Sequence, residues 1–324
     1  MPDAPSSNSW PRIAVMGAGA VGCYFGGMLA RAGAPVTLIG RAAHVEAIER
    51  QGLFIDSIHF QEFIRARASS DVAAAREAEM VIFSVKTLDT EDAAARLAPH
   101  LAPGAILLSL QNGVDNIERI RRATGIEALP SVVYVAAAMN EPGRVVHRGR
   151  GELVLGVPRD SRDPAGENVQ IEKVSATFAR ANVPCRFSEN IEGDLWAKLI
   201  LNCAGNPITA LGRASYGQVG AHALSRQLIE AVVAEGISVA RAAGIEMPQT
   251  DFVATAMKFA TGLGDATSST AQDVLRGKRT EIDSLNGYLA RRGAELGVPT
   301  PVNFTLYALL KLLEESFESR AGAR

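Results

Sequence analysis

The sequence predicts two domains, an α/β domain built on a parallel sheet followed by an all-α domain. From the N-terminus to about Ser188, short apolar runs alternate with helical patterns, which is typical of a parallel sheet with helices on both faces. Beyond Ser188, long Ala- and Leu-rich stretches of helical period replace the strand patterns. The length of 324 residues also suggests about two domains. We therefore expect a disordered tail at 1–10, an α/β domain at 11–188 and a helical domain at 189–324.

Each element of the α/β domain is indicated by its own local pattern. Apolar runs bounded by turn residues predict strands, and helix formers ending near a glycine such as Gly33 or Gly52 predict helices. The expected main strands are Arg12–Gly17, Pro35–Ile39, Met80–Val85, Ala105–Leu110, Leu129–Ala138 and Val183–Phe187. The expected helices are Ala20–Arg31, Arg41–Arg50, Thr90–Leu101, Asp115–Ala123 and Asn168–Ala181. Two short strands are expected at Leu53–Ile55 and Glu62–Ala66, and a hairpin at Arg144–His147 and Glu152–Val157.

The composition excludes several classes of function. Lys and Arg number 33 against 35 Asp and Glu, and this balance gives no electrostatic footprint for nucleic acid or an anionic membrane. Three separate cysteines and five scattered histidines predict neither a disulfide framework nor a metal site. The polar N-terminus resembles no signal peptide, and no apolar stretch is long enough to span a membrane. We expect a cytoplasmic protein.

A glycine-rich turn follows the first predicted strand directly. It consists of Gly17, Ala18, Gly19, Ala20, Val21 and Gly22, in the order G-x-G-x-x-G between a strand and a helix. The first glycine permits the turn, the second lets a pyrophosphate approach the backbone, and the third allows close helix packing. The helix N-terminus would hold the phosphates. The turn therefore predicts a Rossmann-type dinucleotide-binding domain, the alternative being a purely structural turn.

The end of the second strand indicates which dinucleotide binds. NAD sites usually carry an acidic residue here to bind the ribose 2′-hydroxyl, whereas this chain has Gly40 and then Arg41. The missing carboxylate removes repulsion against a 2′-phosphate, and an arginine can pair with that phosphate. We therefore predict NADP(H) as cofactor, the alternative being that Arg41 is only a solvated residue at a helix start.

One helical stretch of the second domain carries a polar stripe. Lys198, Asn202 and Asn206 lie at i, i+4 and i+8, within an arc of about 80° on a helix whose other residues are apolar. Such a stripe either faces solvent or, if buried, needs partners and marks a site. The pattern alone does not decide between the two.

Five segments together resemble the ketopantoate reductase (2-dehydropantoate 2-reductase) family. They are GAGAVG at 17–22, SVKT at 84–87, QNGVDN at 111–116, DLWAKLILNCAGNPITAL at 194–211 and SSTAQDVLRGKRTEIDSLNG at 268–287. The resemblance implies an N-terminal Rossmann domain, a helical C-terminal domain and an active site in the cleft between them. It also implies NADPH-dependent reduction of 2-dehydropantoate to (R)-pantoate, a step towards pantothenate and coenzyme A.

The resemblance also implies roles for individual residues. Lys198 and Glu281 correspond to the catalytic residues, and Lys86 and Asn112 lie with the glycine turn and Arg41 at the cofactor. Substrate contacts are implied for Asn202, Asn206, Ser269 and Asp273.

Three of these positions have simpler interpretations. Thr280 and Asp283 could form a capping box around Glu281, which would then only complement a helix dipole. Asn112 could belong to a plain Asn-Gly turn, and Lys86 could be a solvated strand end.

The sequence departs from the family pattern at Tyr134–Met139. Where many members carry a hydroxyl residue, a histidine and a small residue in the cleft wall, this chain has only apolar residues at 135–138. A related 2-oxo acid reductase or 2-hydroxy acid dehydrogenase with another substrate is therefore the alternative function, and an idle NADP-binding sensor is a third. A small-molecule 2-oxo acid is the expected partner in either enzyme. The long apolar faces of Ser225–Ala243 and Asn303–Leu313 fit either core or a homodimer interface.

Overall fold

The computed structural model describes residues 9–321, apart from the side chains of Phe259 and residues 318–321. The chain divides into two compact units, unit 1 ending at Ile191 and unit 2 beginning at Glu192, three residues beyond the predicted boundary. Residues 1–8 of the predicted tail lie outside the described residues. Of the other two, Trp10 carries the guanidinium of Arg180 3.6 Å above its ring.

The described residues of unit 1 form ten strands and five α-helices. The strands are β1 (Ile13–Met16), β2 (Val36–Ile39), β3 (Leu53–Ser57), β4 (Gln61–Ile64), β5 (Arg67–Ser69), β6 (Met80–Phe83), β7 (Ile106–Ser109), β8 (Ser131–Glu141), β9 (Arg144–Leu155) and β10 (Cys185–Phe187). The helices are α1 (Ala20–Arg31), α2 (Ala42–Gln51), α3 (Thr90–Leu97), α4 (Asn116–Thr124) and α5 (Pro164–Arg180). Short 3-10 turns lie at Val72–Ala75, Thr87–Asp89 and Ala98–His100.

The first sheet is parallel throughout and has the strand order β5-β2-β1-β6-β7. Ile13 pairs with Val36 on one side and with Met80 on the other. All residues of β1, β6 and β7 are buried, as expected for strands covered on both faces. Alternate residues of these strands enter two separate cores, because successive side chains of a strand point to opposite faces. This is the predicted doubly wound arrangement.

The other five strands form a second, mixed sheet, which the alternation of strands and helices did not predict. Its order is β10-β9-β3-β4, with β8 paired antiparallel to β9. Helix α1 packs against strands of both sheets. A Cβ on Gly26 would lie 2.8 Å from Val15, and one on Gly27 would lie 2.5 Å from Ile55. These two glycines therefore let the helix approach both sheets closely.

The predicted hairpin at Arg144–His147 and Glu152–Val157 is wrong. Residues 144–155 form the single strand β9, which pairs with β8 over its length. The sequence Gly149-Arg150-Gly151 is accommodated by register shifts against β8, with a φ of 58° at Arg150. The glycines therefore mark irregular pairing inside a strand, whereas the sequence pattern was interpreted as a turn between two strands.

In its described residues, unit 2 contains helices joined by loops and no strand. Its α-helices are α6 (Ile191–Gly212), α7 (Tyr216–Ala221), α8 (Ala223–Ala242), α9 (Phe252–Gly262), α10 (Ser269–Leu275), α11 (Asn286–Glu295) and α12 (Pro301–Ala321), with a 3-10 turn at Ile282–Ser284. One small core joins Ala210 of α6, Ala271 of α10, Ile282 and Leu310 of α12. In the described part of the chain, no helix has the length and apolar character needed to cross a membrane.

Candidate functional site

The glycine-rich turn is held to the sheet by its own backbone. The N–H groups of Gly17 and Ala18 both donate to the carbonyl oxygen of Ile39, at 3.0 and 2.9 Å. Gly17 has a φ of 107°, a backbone conformation that residues with a side chain rarely adopt. A Cβ on Gly22 would lie 2.2 Å from the oxygen of Gly17, whereas one on Gly19 would meet no atom within 4 Å. The three glycines thus serve turn, open backbone and close packing in the predicted order.

Open space at Gly19 coincides with the start of α1. Gly19 is the N-cap residue, and no side chain caps the helix. The first N–H groups of a helix carry partial positive charge and bind anions when no side chain occupies them. This turn can therefore receive a phosphate group.

Ser84 also shapes the turn, a role that its place in the SVKT segment did not indicate. Its Oγ donates to the carbonyl oxygen of Gly17 at 2.9 Å, and its backbone N–H donates to Met16 at 2.8 Å. Ser84 is the first residue after β6. A hydroxyl residue directly after a buried strand was the signal that could have found it, because ligands bind at the carboxyl ends of parallel strands.

Arg41 follows β2, the strand beside β1. It is exposed, it is the N-cap residue of α2, and within residues 9–321 no hydrogen bond or ion pair engages its guanidinium. A Cβ at Gly40 would lie 2.6 Å from the Cβ of Ala18. A carboxylate therefore has no room at position 40, and the arginine next to it stays available to an anion.

Lys86 and Asn112 lie in the loops after β6 and β7, which a buried network joins. The carbonyl oxygen of Asn112 accepts hydrogen bonds from Thr87 Oγ1 at 3.0 Å and from Asn116 Nδ2 at 2.7 Å. Gln111 Nε2 donates to the Val85 carbonyl oxygen at 3.1 Å. These bonds fix both loops, whereas a plain Asn-Gly turn would need no such links. Lys86 and Asn112 are both partly buried.

Four neighbouring loops of the parallel sheet therefore carry the predicted cofactor residues. They follow β2, β1, β6 and β7, which are consecutive in the sheet order. Because the strands are parallel, their carboxyl ends share one edge. The structure thus brings Arg41, the glycine turn, Lys86 and Asn112 to the same edge of unit 1.

The polar stripe of α6 is not an ordinary solvent-facing surface. Lys198 and Asn202 are partly buried, and Asn206 is 4% exposed. The Tyr216 hydroxyl donates to Asn206 Oδ1 at 3.0 Å, and burial raises the pKa of Tyr216. Because Tyr216 keeps its proton, it fixes the Asn206 amide with Oδ1 as the acceptor. Nδ2 of Asn206 then stays directed away from this bond.

Helix α10 is tied to α6 next to Asn206. The buried Ser268 caps α10, accepts a hydrogen bond from Thr209 Oγ1 at 2.7 Å and donates to the Asn206 carbonyl oxygen at 3.2 Å. Ser269 follows directly and is exposed, and Asp273 lies one turn further on, partly buried. The sequence singled out Ser269, whereas Ser268 makes the connection to Asn206.

Glu281 is partly buried and precedes the 3-10 turn Ile282–Ser284. The capping box considered for Thr280 and Asp283 does not form. Thr280 Oγ1 donates to Glu314 at 2.6 Å, and the Asp283 carboxylate instead binds Tyr307 and Lys311. Burial would raise the pKa of Asp283, but the hydrogen bonds from Lys311 and Tyr307 outweigh burial and hold that pKa below its ordinary value.

Comparison with known proteins identifies the chain's relatives. Residues 13–160 match the family model described as ketopantoate reductase PanE/ApbA, and residues 190–314 match the model for its C-terminal part. The 2-dehydropantoate 2-reductase of Pyrococcus horikoshii is 35% identical over 307 residues, covering 94% of this chain and 97% of the relative.

Solved structures similar to this chain include members of the same family. A PanE/ApbA family ketopantoate reductase from Ralstonia eutropha JMP134 has 46% identity and a TM-score of 0.87, covering 95% of this chain and 99% of that one. A D-mandelate dehydrogenase with NADH and anilino(oxo)acetate has 23% identity and a TM-score of 0.86, with the same coverage, and shares the fold. The resemblance noted in the sequence motifs is confirmed: the chain belongs to the ketopantoate reductase family.

Proposed function

We propose that this protein reduces 2-dehydropantoate to (R)-pantoate with NADPH, as a step towards pantothenate. The observation that carries the proposal is the α6 stripe, which places Lys198 on one helix face with Asn202 and the buried Asn206. The relatives named 2-dehydropantoate 2-reductase support the substrate. The partner is thus a small 2-oxo acid, for which unit 2 would supply the acid and the polar contacts.

The residues of unit 1 fit a dinucleotide. The space over Gly19 is open to a pyrophosphate, and a Cβ there would begin to fill it. The uncapped N-terminus of α1 supplies N–H donors, while Lys86 and Asn112 lie along the same sheet edge towards β7. When bound, NADPH supplies the hydride. The chain's own residues hold and orient it.

The exposed Arg41 supports NADPH over NADH. Only NADPH carries a 2′-phosphate, and a guanidinium pairs with phosphate through two parallel hydrogen bonds. The crowding at Gly40 supports the same choice, since it leaves no room for the acidic residue typical of NAD sites.

Lys198 is proposed as the proton donor. As the carbonyl carbon of the substrate is reduced, negative charge develops on the carbonyl oxygen. A neighbouring ammonium stabilises this charge and gives up its proton to the oxygen, which becomes the hydroxyl of the product. Glu281 is proposed to bind the substrate hydroxyl and to support Lys198.

The polar residues around Lys198 are proposed to orient the substrate. Asn206 is suited to donate through Nδ2, because Tyr216 already occupies its Oδ1. Asn202 lies one turn away on the same stripe, and Ser269 is assigned to the substrate carboxylate. Asp273, one turn beyond Ser269, is assigned to the surrounding polar network.

A second candidate function is favoured by β8. The side chains of residues 135–138 of this strand are valine and alanine, and Ala136 is exposed. An apolar segment here favours a 2-oxo acid bulkier or more apolar than ketopantoate. Such an enzyme would keep the same cofactor residues and Lys198, and would differ only in the preferred acid.

Replacing the proposed acid should slow the chemical step. Lys198→Ala should lower kcat for 2-oxo acid reduction by at least about 10²-fold, the lower range for losing a positioned general acid. NADPH binding, measured by cofactor fluorescence, should be unchanged. Lys258→Ala, at an exposed lysine on α9, is the matched control and should keep the wild-type kcat. A near-normal kcat for Lys198→Ala would remove this lysine from the mechanism.

Replacing Arg41 should separate the two cofactors. Arg41→Ala should raise KM for NADPH by about tenfold or more and leave KM for NADH almost unchanged, because a phosphate–arginine pair exists only with NADPH. Arg50→Ala, an exposed arginine at the other end of α2, serves as control. Equal effects on both cofactors would defeat the phosphate assignment.

A further inference from the structure

Glu314 of α12 is a buried carboxylate that accepts hydrogen bonds from Thr280, the residue before Glu281. Glu314 is 5% exposed, and its Oε1 accepts hydrogen bonds from both the N–H and the Oγ1 of Thr280, each at 2.6 Å. Its Oε2 lies 3.1 Å from Lys311 Nζ. Burying a carboxylate is costly unless it is paired and hydrogen-bonded, and here both oxygens are satisfied. The position of Thr280 is therefore strongly specified.

A second anchor holds the chain on the other side of Glu281. Asp283 lies 3.0 Å from Lys311 Nζ and accepts a hydrogen bond from the Tyr307 hydroxyl at 2.8 Å. Lys311 thus bridges Asp283, which follows Glu281 in the chain, and Glu314, which binds Thr280 on the other side of Glu281. We refer to Thr280, Asp283, Tyr307, Lys311 and Glu314 as the Glu281 clamp.

Ile282, the other residue between the two anchors, is fixed as well. Ile282 is completely buried against Leu310 of α12, and its N–H donates to Thr280 Oγ1 at 3.2 Å. Glu281 is therefore flanked by two buried residues, while it stays partly exposed itself. Charged hydrogen bonds restrict such a segment more than neutral ones do, because they are shorter and stronger.

We infer that the Glu281 clamp is a positioning device for catalysis, in which α12 holds the backbone of 280–283 so that the Glu281 carboxylate keeps one placement. This inference rests on the proposed function, which assigns Glu281 to the substrate. The clamp residues act through Glu281 and touch no reactant themselves. Displacing a catalytic group by about 1 Å can cost on the order of 10²-fold in rate.

The test is a double-mutant cycle between the clamp and Glu281. Thr280→Val keeps the side-chain shape but removes the hydroxyl bound by Glu314. It should lower kcat for 2-oxo acid reduction by roughly 10- to 100-fold with NADPH affinity unchanged, and Thr280→Ser should restore most of kcat. In a Glu281→Gln background, Thr280→Val should change kcat by less than about twofold, because the group that it positions is already lost.

Controls keep the test independent of folding. Tyr307→Phe removes only one hydroxyl of the clamp and should show a smaller loss with the same non-additivity, even if Thr280→Val fails to fold. Glu235→Gln alters another carboxylate bound to α12, at the N–H groups of Val302 and Asn303, and should leave kcat unchanged.

The possible outcomes separate the two claims. If wild type turns over and clamp and Glu281 effects are additive, the clamp is only structural and the inference falls while the proposed function stands. If wild type reduces no 2-oxo acid, the proposed function falls and the inference falls with it.

Discussion

Gly19 and Gly22 of the glycine-rich turn differ in the atoms that an added Cβ would contact. At Gly22 that carbon would collide with the oxygen of Gly17 and with Ser84 Oγ, at 2.2 and 2.4 Å, whereas at Gly19 it would enter open space. Gly22 is therefore needed for close packing, whereas Gly19 borders open space. The sequence motif predicts this geometry, because the strand–turn–helix context fixes the conformation of the turn, while phosphate binding over Gly19 stays a prediction.

This difference predicts that the same substitution affects stability at Gly22 but not at Gly19. Gly22→Ala should destabilise unit 1 by about 1–3 kcal/mol through overpacking and should also weaken NADPH binding. Gly19→Ala should leave the melting temperature nearly unchanged but weaken NADPH binding at least about tenfold, because its methyl group occupies the space for the pyrophosphate. Calorimetry of the melting transition and titration with NADPH check both variants. Wild-type affinity in Gly19→Ala would contradict the phosphate assignment.

Other residues of the site could not be found from the sequence. Glu314 lies 34 positions from Thr280, and nothing in the periodicity of α12 distinguishes it from a surface glutamate. Ser268 and Ser269 are adjacent, and only the burial of Ser268 shows which one caps α10 and bonds to α6. Pairings across distant elements depend on tertiary packing, which local patterns do not specify.

Among the strands and helices, the prediction was most accurate where the sequence pattern matches the burial of the element in the fold. Strands β1, β2, β6 and β7 lie within the predicted ranges, because a strand covered on both faces is apolar at nearly every position. The single strand β9 was predicted as a hairpin, because glycines such as Gly149 and Gly151 occur both in turns and in irregular strands. The short β5 was missed because its sequence, Arg-Ala-Ser, is polar and lies at the edge of the sheet.

The contact between α12 and the 280–283 segment predicts a pH dependence of stability. The folded-state pKa of Asp283 is lowered, so its stabilisation is present above the unfolded-state pKa of about 3.9 and is lost as pH falls through the lower folded value. Asp283→Asn should therefore reduce the free energy of unfolding of unit 2 at pH 7, and the gap to wild type should shrink below about pH 4.

Urea titrations at several pH values measure this gap. The chain has two tryptophans, so in a Trp10→Phe background the fluorescence of Trp196 reports on unit 2 alone. Glu295→Gln breaks an exposed ion pair with Arg292 on α11, within unit 2, and should change stability little at any pH. A gap for Asp283→Asn that stays constant down to pH 3 would show that this carboxylate is not stabilised by its partners.

For the whole molecule, the two units divide the proposed work. Every proposed cofactor residue lies in unit 1, and every proposed catalytic or substrate residue lies in unit 2. The sequence pattern changes near Ser188, and unit 1 ends at Ile191. The pattern changes there because a parallel sheet and a helical bundle need different periods of apolar residues. The preferred acid is harder to predict, because in the proposed function it depends on side-chain volume at positions such as 135–138.

The measurement that tests the proposed function most directly is NADPH oxidation by the wild-type chain with ketopantoate and a panel of other 2-oxo acids, followed by absorbance. We predict a kcat/KM for ketopantoate of roughly 10⁴ M⁻¹s⁻¹ or more, above every other acid in the panel. Slow turnover of ketopantoate beside fast reduction of a more apolar acid would contradict the proposed substrate and favour the second candidate function. NADPH binding without reduction of any acid would contradict reductase chemistry altogether.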